Sequence, residues 1–301
     1  MITVIAEVGI NHCGRIADAL RLVDVAVEAG ADVVKFQIYH TDRLLREVPD
    51  RELLRSCELT IDEHARIKLH CDALGIEWLV SCFDREAVEL ALELGVTEIK
   101  VGSGELVNHG LITHIAARGA KLLLSTGMAT LDEVFRAVGA FKTARNPGKM
   151  GIVFDHHGPV RVPYQNVSLL HCVSNYPTAF EHCNLQAIQT LKRNFFCPVG
   201  FSDHTIGFDA AVAAVATGAE IIERHIMLAP GCPDDAVSFS PENFRGYVAT
   251  IRRAERMMGD GEKRPMPGEL EMAQRVRFRW HVPTDSALGR EAAQPGEGDQ
   301  A

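Results

Sequence analysis

Five times along the chain a helical stretch of mixed polarity runs into a glycine, and a short apolar run follows within one to three residues. The instances are Gly30 before DVVKFQ, Gly75 before EWLVS, Gly95 before EIKVG, Gly119 before KLLLS and Gly218 before EIIER. A glycine just past a helix lets the chain leave in a left-handed conformation, and an apolar run without alternation is a strand covered on both faces. ITVIAE at the start, NVSLLHC over 166–172 and CPVGFSD over 197–203 add three strands, eight in all. Amphipathic helices separate most of them, and Ile16, Leu20, Val23 and Val27 mark the buried stripe of the first. Eight such beats in roughly 260 residues predict an α/β fold of the (β/α)8 TIM-barrel class. A doubly wound open sheet is the alternative, but no Gly-rich dinucleotide fingerprint follows the first strand. The barrel domain is placed at 1–260. Residues 143–165, with His156 and His157, break the beat as an insertion before the sixth strand. Residues 261–301 form a Pro/Gly-rich, charged extension whose last dozen residues, REAAQPGEGDQA, have the composition of a disordered tail.

A barrel of this kind does its chemistry at the carboxyl ends of its strands. The first ends in Glu7, followed by Gly9-Ile10-Asn11-His12, and the second in Lys35 and Gln37, which share a face. The third offers Ser81, the fourth Lys100 and Gly102-Ser103-Gly104-Glu105, the fifth Ser125-Thr126-Gly127, and the sixth His171, Ser174, Asn175 and Tyr176. The last two strands lie in the stretch Gly200–Met227. Alternation there puts Ser202 with His204, and Glu223 with His225, on common faces. One histidine at a strand end is ordinarily a packing residue. Two on neighbouring strands, each with a polar companion two residues earlier, suit a shared divalent ion. Two lysines, several hydroxyls and glycine-rich turns at the same rim suit a phosphate-bearing anion. Glu7, or alternatively Glu223, suits the orientation or deprotonation of a water; equally, either carboxylate can be an ion-pair partner of Lys35 or Lys100.

Composition changes this picture little. With 47% hydrophobic and 24% charged residues, a net charge of −9 and a pI near 5.8, the chain is an ordinary globular protein. The acidity argues against nucleic acid or a membrane surface as partner, while leaving room for an anionic small substrate at a local basic site. The eight cysteines (13, 57, 71, 82, 172, 183, 197 and 232) form no CxxC pair, which fits reduced thiols and a cytoplasmic location. MITVIAEVG has the pattern of a strand, not of a signal peptide, and no stretch has the pattern of a membrane span.

Taken in order, IAEVGINHCG, GADVVKFQ, KVGSGE, STGMA, HCVSNYPT, NLQAIQTLKRNF, GFSDHTIG and IERHIML resemble the motif series of the sialic acid (N-acetylneuraminate) synthase family, from about residue 2 to about residue 258. The resemblance implies condensation of phosphoenolpyruvate with an aldose or N-acyl amino sugar such as N-acetylmannosamine. The product is a 2-keto-3-deoxy sugar acid, and phosphate leaves by C–O cleavage. It implies a divalent metal, Mn²⁺ or alternatively Mg²⁺ or Co²⁺, on His204 and His225. It implies phosphoenolpyruvate contacts at Lys35, Ser81, Lys100, Ser103, Ser125, Ser174 and Ser202, with Ser81 standing where a threonine is expected. Glu7 and Glu223 match acidic catalytic positions, and Gln37, Tyr176 and Asp234 match sugar-side positions. A homodimer or higher homo-oligomer is implied as well.

The departures carry information. Ser174 stands where some members have an asparagine beside the phosphate, and Cys232-Pro233-Asp234 replaces Gly-Pro-Asp. After Arg275, RVRFRWHVPTDSALG only begins the antifreeze-like domain from which members lend an arginine to the partner's sugar site. The expectation that follows is poor use of N-acetylmannosamine by the isolated chain, with another aldose or a phosphorylated sugar preferred. Two rival readings stand beside the synthase: a metal-dependent or Schiff-base pyruvate aldolase on the same barrel, and a non-catalytic sugar-binding homologue.

Overall fold

The computed structural model describes residues 1–44, 50–145, 153–155, 158–160 and 166–277. Eight parallel strands close into a barrel: β1 (Thr3–Gly9), β2 (Val33–Ile38), β3 (Glu77–Cys82), β4 (Glu98–Val101), β5 (Lys121–Ser125), β6 (Val167–Cys172), β7 (Val199–Asp203) and β8 (Ile221–His225). Each strand pairs with its sequence neighbours and β8 pairs with β1, so the (β/α)8 expectation holds. The main intervening helices are α1 (Ile16–Ala29), α2 (Arg51–Ser56), α3 (Ile61–Leu74), α4 (Arg85–Glu93), α5 (His109–Ala117), α6 (Leu131–Arg145), α7 (Gln186–Phe195), α8 (Asp209–Ala216) and α9 (Pro241–Met258). All five glycines expected to close a helix have φ between 71° and 93°.

Two cores result. One fills the layer between strands and helices, where α1, α8 and α9 bury Leu22, Val23, Ala214, Phe244 and Ile251. The other is a small plug inside the barrel, made of Ile5, Val33, Leu79, Leu123 and Leu170 with Ile221 against them. Because side chains alternate, the next inward position on each of these strands is two residues further on. Those positions are Glu7, Lys35, Ser81, Ser125, Cys172 and Glu223. The interior therefore passes from apolar to charged over one pleat, a rise of about 7 Å. β7 reaches the plug layer at Gly200, where an added Cβ would meet Ile221 O at 2.3 Å and Leu170 Cδ2 at 2.7 Å. Only glycine lets the plug close at that point.

Two details differ from the sequence reading. Helix α6 continues through Arg145, so residues 143–145 are helical and not part of an insertion. Arg145 Nη1 donates to Ala120 O at 2.6 Å, and this tertiary bond holds the last turn. Within the remainder, Val153–Asp155 and Gly158–Val160 pair as a short antiparallel sheet; His156 and His157 lie outside the described residues, as does the REAAQPGEGDQA tail. Met1–Met258 makes one compact unit and Gly259–Ala301 a second. The described part of the second holds one helix, α10 (Glu269–Val276), and Arg264 pairs there with Asp260 and Glu262. The eight cysteines are free thiols, six of them buried. No helix among the described residues is long and apolar enough to cross a membrane.

Candidate active site

The charged layer above the plug opens into a cavity of about 280 Å³ at the carboxyl mouth of the barrel. Its wall includes Glu7, Lys35, Gln37, Ser81, Lys100, Ser103, Ser125, Ser174, Tyr176, Ser202, His204, Glu223 and His225. Every expected site residue except Asp234 thus faces one space. Strand register explains the convergence: Glu7 pairs with Lys35 and with His225, Gln37 with Ser81, Ser81 with Lys100, and Glu223 with Ser202.

Four charged side chains, each at most 3% exposed, form the floor. Glu223 is bound on all sides: Lys35 Nζ donates to Oε2, Lys100 Nζ lies 3.3 Å from the same oxygen, and Ser202 Oγ donates to Oε1 at 2.8 Å. Burial alone would favour its neutral form, but Lys100 and Lys35 outweigh that and hold the carboxyl well below the usual range. Burial likewise opposes the charge on Lys35, and Glu223 and Glu7 more than compensate, so its proton is held more tightly than in water. Lys100 is placed otherwise: burial and the nearby Lys35 push it down to about 8, against the pull of Glu223. Glu7 is raised, chiefly by burial. Its Oε2 lies 3.5 Å from Lys35 Nζ yet has no hydrogen-bond partner. Two lysines and two carboxylates thus share a buried floor, and Glu7 is the carboxylate with an oxygen left unbonded.

Beside the floor lies a cradle of small polar groups. Gly127 N donates to Ser103 Oγ at 3.1 Å, and Ser103 Oγ is 3.2 Å from Cys172 Sγ. A Cβ on Gly127 would stand 2.4 Å from Ser174 Oγ and 2.7 Å from Ser103 Oγ. The absent side chain is what leaves room for both hydroxyls against Gly127, one of them accepting from its N–H.

The two histidines stand at the ends of β7 and β8 with ring centroids 5.6 Å apart, and the Tyr176 ring lies tilted over His204 at 4.2 Å. His204 Nδ1 lies 2.9 Å from Val173 O. A carbonyl only accepts, so Nδ1 carries the proton and the Nε2 lone pair faces the cavity. Burial and the neighbouring His225 push the His204 pKa down to about 3, which keeps the ring neutral. His225 Nδ1 is 3.2 Å from Asp234 Oδ2, an ion-pair distance without hydrogen-bond alignment, and Nδ1 is otherwise unpartnered. Asp234 therefore reaches the site through His225 from the loop after β8. Among the described residues no three His, Cys, Asp or Glu side chains converge as a closed metal cage. Two imidazoles backed by a carbonyl and a carboxylate, next to the unpartnered Glu7 Oε2, fit an ion only partly held by protein, with positions left for water and substrate.

Several features escape a linear reading. His171 points outward, its Nε2 2.7 Å from Cys183 O, because Leu170 belongs to the plug; the same alternation turns Cys172 inward, a signal the chain does carry. Behind the histidines, Asp203 and Arg224 form a fully buried ion pair at 3.3 Å. Asp203 also accepts from Thr205 and from Tyr247 Oη, and the guanidinium lies 3.7 Å over the Phe239 ring. A pair this dry is costly to break, since either partner alone would be an uncompensated buried charge.

Comparison with known proteins meets this geometry. The NeuB family pattern matches residues 22–263. The N,N'-diacetyllegionaminic acid synthase of Legionella pneumophila is 36% identical over 292 residues, covering 91% of this chain and 78% of its own length. The pseudaminic acid synthase of Campylobacter jejuni is 33% identical, over 86% of this chain and 75% of that one. The crystal structure of an N-acetylneuraminic acid synthetase from Leptospira borgpetersenii superposes with a TM-score of 0.81 at 31% identity, covering 93% and 92% of the two chains. A barrel with this rim and these relatives has one assignment: the chain belongs to the NeuB family.

Proposed function

We propose that this protein is a synthase joining phosphoenolpyruvate to the aldehyde of an N-acyl amino sugar or related aldose, giving a 2-keto-3-deoxy sugar acid and inorganic phosphate. One observation carries the reading: the Lys35–Lys100–Glu223 floor and the Ser103 and Ser174 hydroxyls share a single cavity with the His204 and His225 imidazoles. A small dianion bearing both carboxylate and phosphate has partners there at both ends. Ser103 accepts from Gly127 N and touches Cys172 Sγ, a weak partner that a phosphate oxygen can displace, and Ser174 and Ser125 stand alongside. The Ser202 hydroxyl proton is committed to Glu223, which leaves Ser202 facing substrate as an acceptor. Its contribution is to fix the carboxylate that fixes both lysines.

On the sugar side we place Gln37, Tyr176 and Asp234. His204 and His225 would hold a divalent cation (Mn²⁺, Mg²⁺ or Co²⁺), which when bound supplies Lewis-acid polarisation of the aldehyde oxygen. Carbon–carbon bond formation leaves positive charge at the phosphate-bearing carbon, and water must add there before phosphate departs. Glu223 is saturated with donors, whereas Glu7 has a buried, unpartnered oxygen and a raised proton affinity. Glu7 is therefore the group that orients this water and takes its proton.

The test is phosphate release from phosphoenolpyruvate across a panel of aldoses and N-acyl amino sugars, with oxygen-18 in the bridging position. The expected result is sugar-dependent release with the label leaving in phosphate. A second reading has one observation in its favour: Lys100, pushed down to about 8, meets the usual condition for a Schiff-base lysine. Label kept in the keto acid, or a borohydride-trapped adduct of Lys100 with pyruvate, would replace the synthase with that aldolase.

A further inference from the structure

Asn11 follows β1 and does not touch the cavity, yet it is 4% exposed and uses its whole amide. Its Nδ2 donates to Ile226 O and to Ser238 Oγ, both at 2.8 Å, and its Oδ1 accepts from Asp234 N at 3.0 Å. Ser238 Oγ in turn donates to Asp234 O at 2.7 Å, so both backbone polar groups of Asp234 are gripped, one directly and one through Ser238. Ile226 N donates to Glu7 O at 2.8 Å, which ties the same junction to the strand that carries Glu7. One side chain therefore joins the end of β1, the end of β8 and the loop after β8. Within that loop itself, Asp235 Oδ2 accepts from Gly231 N at 2.8 Å and Cys232 Sγ lies 3.8 Å from Met227 Sδ; neither bond reaches Asp234.

From this junction we infer that Asn11 is a positioning residue: it sets where the Asp234 carboxylate stands over His225, and through it the sugar-side geometry relative to Glu7. The inference rests on the sugar-side assignment of Asp234. An amide is required, because the junction needs one acceptor and two donations from a single planar group. Aspartate, the same size, keeps the acceptor for Asp234 N and loses both donations. Alanine loses everything and leaves Ile226 O and Asp234 N without their partner.

The experiment compares Asn11→Ala, Asn11→Asp and Asp234→Ala in the Mn²⁺-loaded full chain. The readouts are kcat/KM for the aldose or N-acyl amino sugar turned over best in the acceptor panel above, the calorimetric Kd for phosphoenolpyruvate, and hydrogen exchange of the peptide spanning 228–238. Displacing a group at the reacting site typically costs 10- to 100-fold, so Asn11→Ala is expected to lower kcat/KM for the sugar by about that factor. Phosphoenolpyruvate affinity should stay within about twofold, since no contact to its site is altered. Exchange of the 228–238 peptide should quicken in Asn11→Ala, and Asn11→Asp should fall between it and wild type. If Asn11→Ala does not fold, Asn11→Asp carries the same comparison. Parallel loss of sugar and phosphoenolpyruvate binding would mark Asn11 as merely structural and overturn the inference. So would an unchanged Asn11→Ala or Asn11→Asp beside an impaired Asp234→Ala. An unchanged Asp234→Ala would instead remove the sugar-side assignment, and the inference with it.

Discussion

Replacing Gly127 with alanine tests the cradle directly. The new methyl group would lie 2.4 Å from Ser174 Oγ, 2.7 Å from Ser103 Oγ and 3.0 Å from Cys172 Sγ, all inside contact distance. These are ends of rotatable side chains bordering a cavity, so they can swing aside without moving the barrel. Forced off-rotamer hydroxyls cost about 0.5–1.5 kcal/mol each, so stability should fall by no more than about 3 kcal/mol. Ligand binding should fall further. A hydrogen bond to a charged group contributes about 1.5–3 kcal/mol, and losing one or two such bonds to the phosphate removes about 1.5–6 kcal/mol. At about 1.4 kcal/mol per decade, the phosphoenolpyruvate Kd should rise roughly 10- to 10⁴-fold. Calorimetric titration with phosphoenolpyruvate measures this, and thermal unfolding measures the stability term. Gly139 in α6 provides the control: an added Cβ there meets nothing within 4 Å. Gly139→Ala should leave the Kd unchanged and stabilise the helix by about 1 kcal/mol. If Gly127→Ala binds phosphoenolpyruvate within about threefold of wild type, the anion does not sit in the cradle.

Further outcomes follow from the same site. Lys100 is charged below its pKa of about 8 and neutral above it, so phosphoenolpyruvate affinity should be full at lower pH and decline as pH rises through about 8; Lys100→Arg, charged throughout, should flatten that alkaline limb, and a flat wild-type profile would contradict the assignment. Glu7→Gln should leave phosphoenolpyruvate binding intact while lowering kcat by about 10²- to 10⁴-fold, the usual contribution of a general base; an unaltered kcat would hand the role to another group. Chelation should abolish turnover and added Mn²⁺ should restore it, with His204→Ala losing Mn²⁺ binding by calorimetry; full activity in excess chelator would remove the metal from the scheme. His12 and His64 are buried and pushed down to about 4, chiefly by desolvation. In the window from 6.5 down to 4 the unfolded chain binds more protons than the folded one, so stability falls as pH falls, by up to about 3 kcal/mol for each histidine. His64→Leu should remove one such contribution, read as a shallower loss of Tm between pH 6.5 and 4.

Much of this site could be read along the chain because a barrel converts sequence position into depth. Once ITVIAE, DVVKFQ and EIIERH are strands, the polar residue at the end of each has one place to go. Glu7, Lys35 and Glu223 meet because their strands have the same period and neighbouring register. What resisted such reading was set by contacts between distant segments. Asn11 binds partners 215 to 227 residues away, and the Asp203–Arg224 pair exists only once β7 and β8 lie side by side. His171 and Cys172 were ambiguous for a related reason: which of two adjacent residues faces inward depends on Leu170 joining the plug. The end of α6 was misplaced because local turn chemistry at TARNPG says stop, whereas the reach of Arg145 to Ala120 O adds a final turn.

The step from apolar plug to charged floor in two residues restricts how such an enzyme can diversify. Sliding β8 by one residue would swing Glu223 and His225 into the helix layer and thrust Arg224 into the cavity, losing the floor and the imidazole pair together. A single-residue insertion or deletion within a strand is therefore lethal to chemistry even where the barrel still closes. Length variation is tolerated beyond the strand ends, in segments such as 226–238, which carries the proposed sugar-side Asp234. Lineages built on this barrel can explore new acceptors by editing loops, while the half of the reaction that handles phosphoenolpyruvate stays locked to the pleat.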